Sequence, residues 1–89
     1  MPMMIVHQTV DDFGAWKKRF EDGSQTRRDK GARGARRFRG LENPNEIFVI
    51  IDWDSVEHGA AYFGLKTAAG AALDPKGPVF MEELEPLDG

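Results

Sequence analysis

The chain opens its structured part with "MMIVHQTV" (3–10), a short run rich in apolar and β-branched residues that predicts a strand. The period then changes. In "DDFGAWKKRFEDGSQTRRDKG" the large apolar residues Phe13, Trp16 and Phe20 recur at spacings of three and four, on one face of a helix. Asp11 or Asp12 can cap its exposed amides, and Gly31 suits the left-handed stop beyond its last turn. "ARRFRGL" (35–41) reads as a second strand with poor alternation, and "ENPNE" (42–46) as a turn. "IFVIIDW" (47–53) is the strongest strand of the chain.

A second helix follows from "SVEHGAAYFGLKTAAGAAL", capped by Asp54 with Glu57 three residues on, and with Val56, Ala60 and Phe63 as its inner stripe. Gly59, Gly64 and Gly70 each weaken it by up to ~1 kcal/mol relative to alanine, so a break is expected near residues 66–70. "DPKGP" (74–78) reads as loop and "VFMEELEPL" (79–87) as a last strand. The order is β-α-β-β-α-β, which predicts an α+β, ferredoxin-like sandwich: a four-stranded antiparallel sheet with two helices on one face, residues 1–89 forming one domain.

A sheet covered on one face should show strands that alternate. "IFVII" does not: Ile47, Val49 and Ile51 point one way, Phe48 and Ile50 the other. Both sides call for burial. The expectation is a homodimer in which a second sheet packs on the uncovered face, rather than a lone chain whose loops and long side chains shield it.

Composition and charge refine this picture. An 89-residue chain buries only ~60–65% of its unfolded surface, and with no cysteine it has neither disulfide nor thiolate chemistry. The opening "MPMMIV" lacks the pattern of a secretory leader, and "IFVII" is too short to cross a bilayer. A soluble, cytoplasmic protein with no membrane partner is the expectation. The net charge of −3 conceals an asymmetry: residues 27–40 hold seven of twelve basic residues and one of fifteen acids. A nucleic-acid binder usually carries its basic balance over the whole domain. "GARG" (31–34) lacks the flanking helices of an RNA-clamping loop, and a single aromatic, Phe38, offers little stacking. Nucleic acid is not the expected partner.

Several local motifs, taken together, carry a family resemblance. They are His-x-x-Val-Asp-Asp-Phe from His7, Trp-Lys-Lys-x-Phe from Trp16, and Gly-Ala-Arg-Gly from Gly31. Pro-Asn-Glu from Pro44 and Ile-Ile-Asp-Trp from Ile50 complete the set. Over about residues 5–63 the chain resembles small dimeric α+β-barrel proteins related to antibiotic-biosynthesis monooxygenases. The resemblance implies a ferredoxin-like protomer that dimerises face to face, with a pocket between helices and sheet. It also implies that Arg36, Arg37 or Arg39 on one edge strand meets Glu82, Glu83 or Glu85 of a partner's last strand.

The residues that could carry chemistry are few. His7, mid-strand, is a ready proton acceptor near neutral pH, or else a hydrogen-bonded structural histidine. Trp16, Phe20, Trp53, Tyr62 and Phe63 are ordinary core residues by spacing. With the small residues Gly59, Ala60, Ala61 and Gly64 they could instead wall a cavity for a flat apolar ligand, Tyr62 and Trp53 lending polar handles. Arg27 could counter a ligand phenolate or carboxylate, the plainer expectation being a solvated arginine at a helix end. His7 and His58 do not form a metal-ligand spacing, and Ser24 and Ser55 lack a base nearby in sequence. No metal and no cofactor are expected.

The resemblance therefore implies a cofactor-independent monooxygenase-like enzyme acting on a small aromatic or polyketide-like substrate. In it His7 would be the base, Tyr62 and Trp53 the stabilising donors, and Trp16, Phe20, Arg27 and Phe63 the ligand contacts. The alternative is a non-catalytic barrel that binds a small ligand or responds to stress. A haem-degrading role would need an axial histidine on or near the second helix, and His58 sits early for it.

Overall fold

The computed structural model describes residues 2–68 and 78–87. It contains β1 (Met3–Thr9), α1 (Phe13–Asp22), α2 (Ser24–Asp29), β2 (Ala32–Arg39), β3 (Glu46–Trp53), α3 (Val56–Ala68) and β4 (Val79–Met81). The strands form one four-stranded sheet in the order β2-β3-β1-β4, every neighbouring pair antiparallel. This is the ferredoxin-like βαββαβ arrangement, with the first helical segment split in two. Among the described residues no helix is long and apolar enough to cross a membrane.

Local chemistry explains the boundaries. Asp12 is extended and its Oδ1 accepts the Ala15 amide at 3.1 Å, so it starts α1. Gly23 ends α1, its amide donating to the Arg19 carbonyl at 3.1 Å, and the chain restarts at once as the six-residue α2. The single long helix expected from the sequence is therefore two. Gly31 takes φ 116° beyond α2, as expected of the left-handed stop. The α3 cap is Ser55, whose Oγ accepts the His58 amide at 3.2 Å. Asp54, expected in that place, has its Oδ1 against the His58 ring instead. The β2–β3 turn closes through Gly40 N–H to Glu46 O at 2.9 Å and through an Asn43 side chain that accepts the Asn45 amide.

The register sorts the strands onto two faces. Met4, Val6, Ile47, Val49, Ile51 and Trp53 point to the helices and are all buried. With Trp16, Ala32 and Tyr62 they form the core, against which Phe13, Phe20, Phe63 and Phe80 pack. Ile5, His7, Phe38, Phe48, Ile50, Val79 and Met81 share the other face by register. Two sequence expectations shift here. The inner stripe of α3 is Gly59, Tyr62 and Phe63, while Val56 and Ala60 are exposed. The last strand stops at Met81, and residues 82–87 continue without strand pairing. The expected break near 66–70 and the loop at 74–78 fall mostly outside the described residues, although α3 runs unbroken to Ala68.

Candidate functional site

The helix-covered side holds a layer of aromatic rings in two arms. Under α1 and α2, Phe13, Trp16 and Phe20 follow one another with centroids 5.9 and 5.2 Å apart. Under α3, Trp53 and Tyr62 meet at 5.3 Å, their planes inclined by 44°. Trp53 is fully buried, and its Nε1–H finds no acceptor among the described residues. Leaving such a donor unmatched costs about 1–3 kcal/mol. Gly59 makes this arm possible: a Cβ there would stand 3.0 Å from both the Trp53 and the Phe80 rings.

Arg27 is the second unusual group. It is buried, with 5% of its surface exposed, rather than solvated at a helix end as its position along the chain suggests. Its guanidinium lies 3.7 Å from the centroid of Phe20, and one nitrogen donates to Ser24 Oγ at 3.2 Å. Gly23 leaves the room, since a Cβ there would lie 3.0 Å from Arg27 Nη1. No carboxylate among the described residues comes within ion-pair distance of Arg27. A buried cation is ordinarily paired. Here a ring face and a hydroxyl stand in, at a cation–π gain of ~1–2 kcal/mol.

The edge strand adds more positive charge to the same side. Arg39 stacks on Phe13 at 3.8 Å and Arg37 approaches Phe20 at 5.5 Å, while Arg39 Nε also donates to the Pro44 carbonyl at 3.0 Å. Arg37 and Arg39 thus lie over rings of their own chain. Arg36 points to the other face and reaches Glu83 of its own chain at 3.9 Å. The acid is one of the three expected from the sequence, but the pairing lies within one chain.

His7 does not join the aromatic layer. By register it projects from the uncovered face, stacked on Phe48 at 4.2 Å and 5° and within 3.1 Å of Glu46 Oε1. The sheet itself separates it from Trp53 and Tyr62. Trp16, Phe20, Arg27 and Phe63 do belong with Trp53 and Tyr62, around one continuous core. Ala60, Ala61 and Gly64 are exposed on the outer side of α3, so of the small residues only Gly59 faces the rings.

One cluster is not evident from the sequence. Asp54 Oδ1 lies 2.7 Å from His58 Nδ1, and Asp54 Oδ2 lies 3.6 Å from Arg33. The hydrogen bond with His58 is the main cause holding the Asp54 carboxyl below its ordinary pKa, with charge from His58 and Arg33 adding to it. The signal is present in the i, i+4 spacing of Asp54 and His58, masked by the capping role expected of Asp54. Among the described residues no group of three or more His, Asp or Glu side chains could hold a metal ion.

No protein-family model matches the chain, and no curated protein sequence matches it. Solved structures do. The chain is similar to an antibiotic biosynthesis monooxygenase (TM-score 0.68, 13% identity, covering 96% of this chain and 100% of that one). It is also similar to a candidate antibiotic biosynthesis monooxygenase from Deinococcus radiodurans (TM-score 0.65, 14% identity, 99% and 97% covered). A third, a candidate of the same description from Bordetella bronchiseptica, aligns at TM-score 0.53 and 19% identity, with 97% of each chain covered. The likeness runs over nearly the whole of each chain, so the fold is that of antibiotic biosynthesis monooxygenase-like structures.

Proposed function

We propose that this chain is a cofactor-independent monooxygenase-like enzyme for a small, electron-rich aromatic substrate that reacts as its anion. The observation that carries this reading is Arg27: a cation buried against an aromatic ring with no carboxylate to neutralise it among the described residues. Such a site favours an aromatic ligand that can become a phenolate, because positive potential in a poorly solvated place stabilises the anion most. The unmatched Trp53 Nε1–H supplies a donor for a ligand oxygen, and Tyr62 lies tilted beside it. Trp16, Phe20 and Phe63 are the walls.

The chemistry then requires little from the protein. The substrate loses a proton to solvent, helped by the positive potential of Arg27. The resulting carbanion gives its electron pair, in single-electron steps, to molecular oxygen, and a C–O bond forms. The peroxide so made takes a proton back and expels water across the C–H and O–O bonds, leaving a carbonyl. One oxygen atom enters the product and the other leaves as water. His7 takes no part in this scheme, because the sheet lies between it and the rings.

Two copies of the chain join through the uncovered sheet face in this reading. Ile5, Ile50, Phe48, Phe38, Val79 and Met81 make that face apolar, and antibiotic biosynthesis monooxygenase-like structures share the fold that presents it. His7 and Glu46 would then become interface residues.

The test uses an anthrone-like phenol, whose ionisation is visible in its absorption. Bound to the protein, it should ionise at least ~1 pH unit lower than in water, as expected for a nearby cation. It should also take up oxygen faster than in buffer. Both effects should vanish in Arg27→Gln, and Trp53→Phe should slow uptake about tenfold or more. Binding with neither effect would leave the non-catalytic alternative, and no binding at all would overturn the reading.

A further inference from the structure

A cavity of about 360 Å³ opens beside the first part of the basic stretch, lined by Arg28, Asp29, Lys30, Gly31, Arg33, Asp54 and His58. Three features set its chemistry. Its two carboxylates are already engaged: Asp29 accepts from Gln25 Nε2 at 2.8 Å, and Asp54 is held by His58 and Arg33. Two of its cations are not, because neither the Arg28 nor the Lys30 side chain has a hydrogen bond or ion pair among the described residues. The third cation is aimed by a defect in the sheet. The β2–β3 register slips between Ala32 and Gly34, so Arg33 is the unpaired residue of a bulge and turns out of the ladder toward Asp54.

Helix-end electrostatics do not account for this excess. Arg27 and Arg28 both lie in the last turn of α2 and Lys30 caps it, but a helix of six residues presents so weak a pole that three cations there gain little from it. The Asp54–His58 contact gives part of the cavity lining a defined geometry. Asp54 fits under Gly31, where a Cβ would approach its Oδ1 at 2.5 Å, and His58 Nδ1 is fixed by the carboxylate, which leaves Nε2 as the ring atom available to a ligand.

We infer that this cavity is a binding site for a small oxyanion, a phosphate or carboxylate group, gripped by Arg28 and Lys30 and oriented by Arg33 and His58. It is separate from the aromatic layer and does not depend on the function proposed for it. Arginine and lysine side chains together suit both anions, the guanidinium by paired hydrogen bonds and the ammonium as a point charge.

Amide and side-chain NMR of the intact chain decides the matter, with inorganic phosphate and acetate titrated separately against sodium chloride at matched ionic strength. Saturable shifts confined to residues 28–33, Asp54 and His58 are expected for phosphate, acetate or both, and which of them saturates identifies the anion class. The double variant Arg28→Gln, Lys30→Gln should weaken that binding about tenfold or more, since charge-assisted hydrogen bonds are lost. Both residues are exposed, so the fold should survive the change. Shifts that chloride reproduces, that never saturate, or that the double variant leaves unchanged would overturn the inference.

Discussion

The two faces of the sheet are built from the same strands and from similar residues, yet they end in different conditions. On the helix side of β3, Ile47, Val49, Ile51 and Trp53 are at most 3% exposed. On the other side of the same strand, Phe48 keeps 42% of its surface, and Phe38 opposite it on β2 keeps 48%. Burial alternates along a strand whose sequence does not. Hydrophobicity therefore states what a position demands, while the helices decide which demands the single chain meets. The remainder falls on the open face, and the pairing of His7 with Glu46 and Phe48 shows how it is partly met there: a half-exposed imidazole shields a ring face.

The largest effect should separate these faces. Trp53→Ala removes a fully buried indole, and large-to-small changes of this kind cost about 3–5 kcal/mol. Against a total stability of ~5–15 kcal/mol for a domain, urea unfolding should show a chain near the edge of folding. Phe48→Ala should cost the protomer less than ~1.5 kcal/mol, because its ring is nearly half in water already. Its cost should appear instead as weaker self-association, at least ~10-fold by sedimentation, if a second copy covers that face. Equal losses of stability with no effect on association would erase the distinction.

Much of this is legible in the sequence alone. The order of elements, an aspartate cap at Asp11 or Asp12, the aromatic face of α1 and the double-sided character of "IFVII" follow from periods and caps, which are local properties. What the sequence conceals is tertiary. Arg27 reads as a helix-end arginine because nothing local shows that Gly23 splits the helix and turns the guanidinium under Phe20. His7 reads either as a base or as a structural histidine because alternation leaves its face undetermined until the register is known. Phe38 and the arginines around it look like a ragged strand. On the edge of the sheet the long cationic side chains of Arg37 and Arg39 lie over aromatic rings of α1.

The backbone offers a similar contrast at a smaller scale. Gly31→Ala forces a side chain onto φ 116° and drives it against Asp54 at 2.5 Å, which should cost about 1–3 kcal/mol. Gly64 lies in α3 with nothing among the described residues within 4 Å of where a Cβ would stand, so Gly64→Ala should stabilise by about 0.4–1 kcal/mol. Thermal melts of the two variants should move in opposite directions. If both fell, α3 would be more tightly covered at Gly64 than the described residues allow.

The smallest effect concerns acid. The His58 hydrogen bond holds the Asp54 carboxyl below its ordinary pKa, and Lys17, 3.0 Å away, does the same for Glu21 on the outside of α1. A carboxyl whose folded pKa is lowered binds its proton more readily once unfolded, so it stabilises the fold above the unfolded value, about 4. That contribution fades as pH falls from there through the lowered folded value. Both groups meet solvent, so each share is small. They should nevertheless separate by variant. Asp54→Asn should flatten part of the decline in urea midpoint below about pH 4, and Lys17→Met should flatten a different part. Only the first should also move the His58 ring resonances in NMR at neutral pH, because Glu21 is tied to its lysine within one helix face, whereas Asp54 links the end of β3, the bulge of β2 and the first turn of α3. An unchanged acid limb in Asp54→Asn would mean that this junction is held by its backbone, through the Asp54 amide and the Gly31 carbonyl at 2.9 Å, and not by the carboxylate.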